Sequence, residues 1–359
     1  MFTKKLFLKL FAALFAILLF LSACNGGNEL HFTAFKNTHV IVQARDKVPS
    51  DFAAESIRKL LYDLDAEFSA TKETSTVYKI NAATAGKKTE ISEKFRQIAN
   101  ECVNLWEFTE GKFDISVYPL TLLWQFAPKY PVYNFAVPLN DEINEIKSLI
   151  GLNKFSFENY AVKSENGAKI DFGGALKGYA ADEIAKILKA DGVKSGYVNV
   201  GGSSINLISV DKLYVRHPRE DDYILSVNIK EKDLSVSTSG DYEKTYTAQG
   251  KTYSHIINPE SGYPSDGGVA SMTIIGKNGL RLDALTTAAC VFSHDFKVPK
   301  NGELYRFIKK ILDSEDYSDA QIYAVCVNGE NKQVLTNKKQ GEDFTLLDKD
   351  YEIIYMGDL

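Results

Sequence analysis

Apolar residues along this chain repeat at two distinct periods. Ala53, Ile57, Leu60, Leu61, Leu64 and Phe68 recur at helical spacing, as do Ile91, Phe95, Ile98, Cys102, Leu105 and Trp106, the second series ending near Gly111. A third helix is predicted from Leu176, Ala180, Ile184, Ile187 and Leu188, closed by Gly192, and a short fourth over about 283–292. Strand-like stretches fall at 40–44, 113–117, 169–172, 197–200, 223–229, 254–257, 271–275 and 321–327. Helices and strands mix without a regular βαβα alternation and the middle strands read as antiparallel, which predicts an α+β fold. Beyond residue 38 there is no Pro/Gly/Ser-rich linker, internal repeat or low-complexity block. One sizeable unit, or two interleaved lobes, is therefore expected.

The N-terminus follows another pattern. Lys4, Lys5 and Lys9 precede an unbroken apolar run of eleven residues, 10–20. At about 1.5 Å per residue that run is too short to cross a hydrocarbon core of about 30 Å, so it reads as a signal-peptide core. Leu21-Ser22-Ala23-Cys24 follows and resembles a bacterial lipobox, with an uncleaved anchor and an incidental cysteine as the alternative. The expected organisation is a lipoprotein signal peptide at 1–23, a tether at 24–38 beginning with a lipidated Cys24, and a folded body at 39–359. An exported protein held on a bacterial membrane follows from that reading.

Composition narrows the function. The chain is 45% hydrophobic and 25% charged with a net charge of −5, ordinary globular values. The signal segment carries three of the lysines and no acid, so a chain beginning at Cys24 has 39 basic against 47 acidic residues and sits at −8. Such a body is poorly placed to neutralise nucleic-acid phosphates, and an anionic ligand must be held locally by a loop, a lysine or a metal. Cys102, Cys290 and Cys326 are odd in number and lie in apolar segments, so buried thiols are expected. With no Cys or His cluster at metal spacing, zinc, haem and iron–sulfur centres are not expected.

Three segments can carry chemistry. In Asp171-Phe172-Gly173-Gly174-Ala175-Leu176-Lys177-Gly178 a strand ends in a Gly-Gly turn and enters a helix; a lysine in the first helical turn favours a phosphate partner, against the alternative of a plain strand-to-helix turn. In Asp283-Ala284-Leu285-Thr286-Thr287 a carboxylate and a hydroxyl stand at i and i+4; two hard oxygens suit Mg2+, while a capping aspartate and a back-bonded threonine is the structural alternative. In Ser254-His255-Ile256-Ile257-Asn258-Pro259 a histidine lies near a strand end, where it can act as a base. His217 reads as a surface-loop residue and His294 as part of a polar loop. The segments at 111–117, 199–203 and 238–242 are weaker, each a turn or strand end with small residues.

In this order the segments resemble one family, the ApbE-type FAD:protein FMN transferases. The likeness runs from Glu67-Phe68-Ser69 through the Asp171 segment, Asn199-Val200-Gly201-Gly202, Thr238-Ser239-Gly240-Asp241-Tyr242, His255-Ile256-Ile257-Asn258-Pro259 and the Asp283 segment. The resemblance implies a single compact T-fold-like domain with a largely antiparallel sheet. It implies that Asp283 and Thr287 ligate Mg2+ with carbonyls near Gly174 and Thr286, and that Asp171, Lys177, Ser75, Phe113, Asp114 and Ile257 serve the FAD pocket. His255 matches the histidine that assists transfer. The implied reaction moves FMN from FAD to a threonine of a partner protein, such as a redox-pump subunit, and releases AMP; FAD hydrolysis and non-catalytic flavin delivery are the alternatives. Leu176 stands where Ala or Gly is usual, and Asn258 where Asp is usual.

Overall fold

A computed structural model describes residues 28–127 and 135–357. Cys24 and the signal segment lie outside the described residues. The chain opens with the hairpin β1 (Glu29–Ala34) and β2 (Thr38–Ala44), followed by α1 (Asp51–Phe68), α2 (Thr76–Ala82), the short β3 (Thr89–Glu90) and α3 (Glu93–Phe108). Next come α4 (Tyr118–Leu123), α5 (Asn140–Lys147), β4 (Phe155–Phe157), β5 (Tyr160–Lys163) and α6 (Leu176–Ala190). A run of strands follows: β6 (Gly196–Val200), β7 (Ser204–Ile208), β8 (Lys212–Arg216), β9 (Tyr223–Asn228), β10 (Leu234–Gly240), β11 (Thr245–Ala248), β12 (Lys251–Ser254) and β13 (Val269–Gly276). The chain closes with α7 (Gly279–Ala289), α8 (Glu303–Leu312), β14 (Gln321–Asn328), β15 (Asn331–Thr336), β16 (Phe344–Leu346) and β17 (Glu352–Tyr355).

Nine strands form the main sheet in the order β1-β2-β6-β7-β10-β13-β14-β15-β17. Each pair is antiparallel except β15 with β17. One face packs on α1, α3, α6 and α7 through a core that includes Ile57, Leu64, Phe95, Ile184, Leu285 and Met272. The other face packs on the small sheet β16-β9-β8 through Ile205, Val236, Ile275, Leu225 and Phe344. Covered on both faces, β7 and β13 are buried almost throughout, which is why they lack polar alternation. A satellite cluster under α4 and α5 contains Leu120, Trp124, Ile143 and Ile257.

The α+β class and the antiparallel middle strands are as expected. The helices predicted from Ala53, Ile91 and Leu176 correspond to α1, α3 and α6, and Ser50 and Ser92 cap the first two through the amides of Ala53 and Phe95. Cys102, Cys290 and Cys326 are buried free thiols, as composition suggested. Several expectations are corrected. Residues 29–34 are no tether but β1, paired from Glu29↔Gln43 to Ala34↔Thr38, because Leu30, Phe32 and Ala34 alternate with polar residues. The folded body therefore starts ten residues earlier than His39. Residues 113–117 turn into a short 3-10 helix at Ile115–Val117, residues 169–172 belong to no strand, and the strand reaching His255 stops at Ser254.

Helix α7 starts at Gly279 rather than at Asp283, so Asp283 is its fifth residue and not its cap. Asn278, in the left-handed region at φ 68°, fills the cap position by accepting the Arg281 N–H at 3.3 Å. The early start is tied to helix α6. A Cβ placed on Gly178 would lie 1.9 Å from the Gly279 carbonyl oxygen, so the two glycines allow backbone to touch backbone where α6 and α7 meet. Gly178→Ala is therefore expected to push the two helices apart and to lower the free energy of unfolding by about 1–3 kcal/mol. Urea unfolding of the two proteins checks this; an unchanged midpoint would show that the crossing is looser than described.

Candidate active site

The close crossing brings the first turn of α6 against the middle of α7. Lys177 Nζ donates to Asp283 Oδ2 at 3.3 Å and to the Gly173 carbonyl at 2.9 Å. The Asp283 side chain is almost fully buried and its partner Lys177 is a quarter exposed. The Gly178 N–H also points at Asp283 Oδ2, at 3.2 Å. That diverted donor leaves the Gly174 carbonyl outside the helical ladder. A Cβ on Gly174 would sit 3.5 Å from Thr287 Oγ1 and 3.4 Å from the Phe113 ring, so the bare glycine makes a cradle beside that hydroxyl. Thr286 and Thr287 hydroxyls both donate to the Asp283 carbonyl, at 3.0 and 2.9 Å.

Further groups surround this cluster. The Ser239 hydroxyl, near the end of β10, lies 3.0 Å from Thr286 Oγ1 and 3.4 Å from Thr287 Oγ1. The Gly201–Gly202 turn after β6 closes on Lys177, whose Cδ would meet a Gly201 Cβ at 3.6 Å. Asp171 holds the Gly-Gly turn through the Gly173 N–H at 3.3 Å. Burial pushes the Asp171 carboxyl up, against the pull of the Gly173 N–H and the charges of Lys244 and Lys177. The same two lysines reach His255: burial first, then Lys244 and Lys177, push its imidazole down from 6.5 to about 3. His255 is thus neutral at physiological pH, and its buried Nδ1 has no partner among the described residues.

Lys177, Gly174, Phe113, Asp283, Thr286 and Thr287 are therefore brought together, with Asp171 and His255 inside the same electrostatic field. The Thr286 carbonyl already takes the Cys290 N–H at 3.3 Å and has one lone pair left. Asp114 is buried next to Phe113 and caps the 3-10 turn through the Ser116 N–H at 2.7 Å; burial raises its carboxyl from 3.8 to about 6. Ile257 bridges to Pro264 and lies in the satellite core. Ser75 has a structural role. It is fully buried, donates to the Ser69 carbonyl at 2.5 Å and accepts the Tyr78 N–H at 3.0 Å as the cap of α2. Leu176 points into the main core, and Asn258 closes a turn by accepting from the amides of Glu260 and Ser261, which an aspartate oxygen would do equally.

Two histidines differ from expectation. His217 is buried, accepting on Nδ1 from the amides of Arg219 (3.1 Å) and Glu220 (3.0 Å). With Nδ1 occupied, Nε2 carries the proton and faces Asp348 Oδ2 at 3.2 Å. The cluster of His217, Glu220 and Asp348 is thus a hydrogen-bonded lock on the loop after β8, with no free nitrogen for a metal. His294 is buried too, Nε2 against Gln333 Oε1 at 2.7 Å. Both sit in polar sequence, and the partners that bury them are distant along the chain.

Asp182 was legible only in space. Its carboxylate accepts from the Gly279 N–H (2.6 Å), the Ser235 hydroxyl (2.6 Å) and Asn206 Nδ2 (2.9 Å), tying α7, β10 and β7 to α6. Arg219 forms a two-pronged pair with Asp241 at 2.6 and 2.8 Å, just past Ser239. Neither pairing has a signature in local spacing.

Residues 34–298 match the sequence model of the ApbE family. The chain is 27% identical over 245 residues to the FAD:protein FMN transferase of Vibrio cholerae serotype O1, covering 67% of this chain and 73% of that protein. It superposes on the crystal structure of the ApbE protein of Thermotoga maritima with a TM-score of 0.70 at 31% identity, covering 83% of this chain and 94% of that one. The apo flavinyl transferase of Pseudomonas stutzeri shares the fold, with a TM-score of 0.69 at 24% identity over 86% of this chain and 93% of that one.

The depressed His255 value has a sign that can be checked. The unfolded imidazole binds a proton below about 6.5, whereas the folded one stays neutral to about 3, so this group withdraws stability as pH falls through that window. Asp114 acts oppositely, withdrawing stability as pH rises from 3.8 through about 6. An NMR titration of the ring resonances of the ligand-free protein is expected to show no protonation of His255 between pH 7 and 5. A midpoint near 6.5 would mean that the imidazole is solvated.

Proposed function

The chain belongs to the ApbE family, and from that membership and the Lys177–Asp283–Thr287 cluster we propose that it is an FAD:protein FMN transferase. It takes FAD as substrate, transfers FMN to a threonine hydroxyl of a partner protein, and releases AMP. The observation that carries the reading is a buried carboxylate paired with a lysine at the start of a helix, beside a glycine cradle, in a body that is otherwise acidic. In such a body a pyrophosphate needs local cations.

The donors present suit Mg2+: Asp283 carboxylate, Thr287 hydroxyl, and the carbonyls of Gly174 and Thr286 are all hard oxygens. Bound there, Mg2+ would supply charge neutralisation to the phosphate oxygens. The chain's own residues account for the rest. Lys177 sits where it can neutralise charge building on the departing AMP phosphate as the bridging P–O bond breaks. The acceptor oxygen bonds to the phosphorus of the FMN half, and His255 takes the hydroxyl proton, its basicity restored as the substrate's negative charge offsets Lys244 and Lys177. Asp171 holds the Gly-Gly turn that presents Lys177. Phe113 and Ile257, buried in the two apolar clusters, support the site from beneath, and Asp114 caps the turn that follows Phe113.

The N-terminal reading is part of the proposal. Residues 1–23 are a signal peptide and Cys24 carries the lipid, so the enzyme works on the exported side of a bacterial membrane on proteins such as redox-pump subunits.

Incubation with FAD, Mg2+ and an acceptor carrying an exposed threonine motif is expected to yield FMN on threonine by mass spectrometry, one AMP per flavin. Asp283→Ala is expected to lose about 100-fold or more of the AMP release while keeping its melting transition. Free FMN at equal rates with and without acceptor would make the protein an FAD pyrophosphatase, and normal turnover in Asp283→Ala would remove the metal assignment.

A further inference from the structure

We propose that the end of the fold carrying Val48 and Phe52 rests against the lipid bilayer, with the flavin site at the opposite end facing the aqueous compartment; this rests on the reading of Cys24 as the lipidated residue. The described chain starts beside the end of β2, where the Asn28 carbonyl accepts the Ala44 N–H at 3.0 Å. Four residue steps separate Asn28 from Cys24, a reach of about 14 Å at most. The end of the body from which the chain emerges therefore cannot stand away from the membrane surface.

That end is built from the close of β2, the loop into α1, the start of β6 and the close of α6. Arg45 N–H donates to the Ser195 carbonyl at 2.9 Å, and Ser50 N–H to Asp191 Oδ2 at 3.0 Å. Two of the carboxylates at this end are engaged, Asp46 by the amides of Lys194 and Ser195 and Asp191 by Ser50 and Lys47, while Asp51 at the start of α1 is exposed. Between them Val48 is 60% exposed and Phe52 82% exposed. Large apolar side chains this bare, next to a lipid attachment point, are what an interfacial contact needs.

The site lies at the other end of the same layer. Helix α6 starts with Lys177 in its first turn and ends at Asp191, about 20 Å away along the axis. Strand β6 runs in the same frame: Gly196 pairs with Ala44 at the emerging end, while Val200 pairs with Val40 and the Gly201 N–H meets the His39 carbonyl beside Lys177. With the Val48–Phe52 end on the bilayer, the cluster stands about one α6 length above it. The acceptor threonine must then be presented by a water-exposed part of the partner, not by a segment within the membrane.

Because Cys102, Cys290 and Cys326 are buried, one new surface cysteine can be spin-labelled selectively in the lipidated full chain. The labelled sites are Phe52→Cys and Leu139→Cys, the latter 69% exposed at the start of α5, which packs on Gly262 beyond the His255 segment. In phosphatidylethanolamine–phosphatidylglycerol vesicles the Phe52 label is expected to gain oxygen collisions and lose nickel-chelate collisions relative to the Leu139 label. Equal, water-like accessibility at both sites, with lipid on Cys24 verified by mass spectrometry, overturns the proposal; so does a lipid-like Leu139 label. A Cys24 peptide without lipid overturns the anchor reading and this proposal with it, and leaves the transferase reading standing.

Discussion

The contact on which the rest of the site depends is the backbone-to-backbone meeting of α6 and α7 at Gly178 and Gly279. Helix axes normally stay 8–10 Å apart because side chains intervene. Here two glycines remove them, and Asp182 binds the freed Gly279 N–H at the early start of α7. Everything reactive hangs from that crossing. Lys177 is one residue before Gly178 and Asp283 four after Gly279, so the lysine and the carboxylate meet because the glycines do.

The arrangement reconciles an acidic body with a phosphate substrate. No basic surface is needed when one ammonium, one buried carboxylate and a helix start converge at a largely buried site, where charges interact more strongly than in water. In the ligand-free chain Lys177 serves as the counter-charge to Asp283. On the proposed function, a divalent cation on that carboxylate would weaken the lysine's hold on Oδ2 and turn the ammonium toward the substrate's phosphate.

Much of this was legible in the residues, and the failures have physical causes. Helices α1, α3 and α6 showed themselves because each buries one stripe and wets the other. The site motifs were readable only as an ordered set, because Gly-Gly before a helix and Asp-x-x-x-Thr within one each have an ordinary structural use when taken singly, and Thr287 does bond back to the Asp283 carbonyl. Strands β7 and β10 were not found as strands, since burial on both faces erases alternation. Strand β1 did alternate, but its short polar run beside a predicted lipid anchor read as tether. The start of α7 was misplaced because glycine ordinarily ends helices, and only the neighbour across the crossing explains why it begins one here. Ser75 is hard to read by type: a serine before a helix is first of all a cap. His217, Asp182 and Arg219 have partners tens of residues away, which no local pattern encodes.

On the proposed function, Lys177 and a divalent cation share Asp283. Titration of the ligand-free protein with Mn2+, followed by electron paramagnetic resonance, tests it in wild type and Lys177→Met. Removing the lysine takes away both the competing counter-charge and the repulsion of the incoming cation. The variant is therefore predicted to bind Mn2+ several-fold more tightly than wild type, with the gain abolished when Asp283→Ala is added. Weaker binding in Lys177→Met, or a gain that survives loss of Asp283, would contradict the claim.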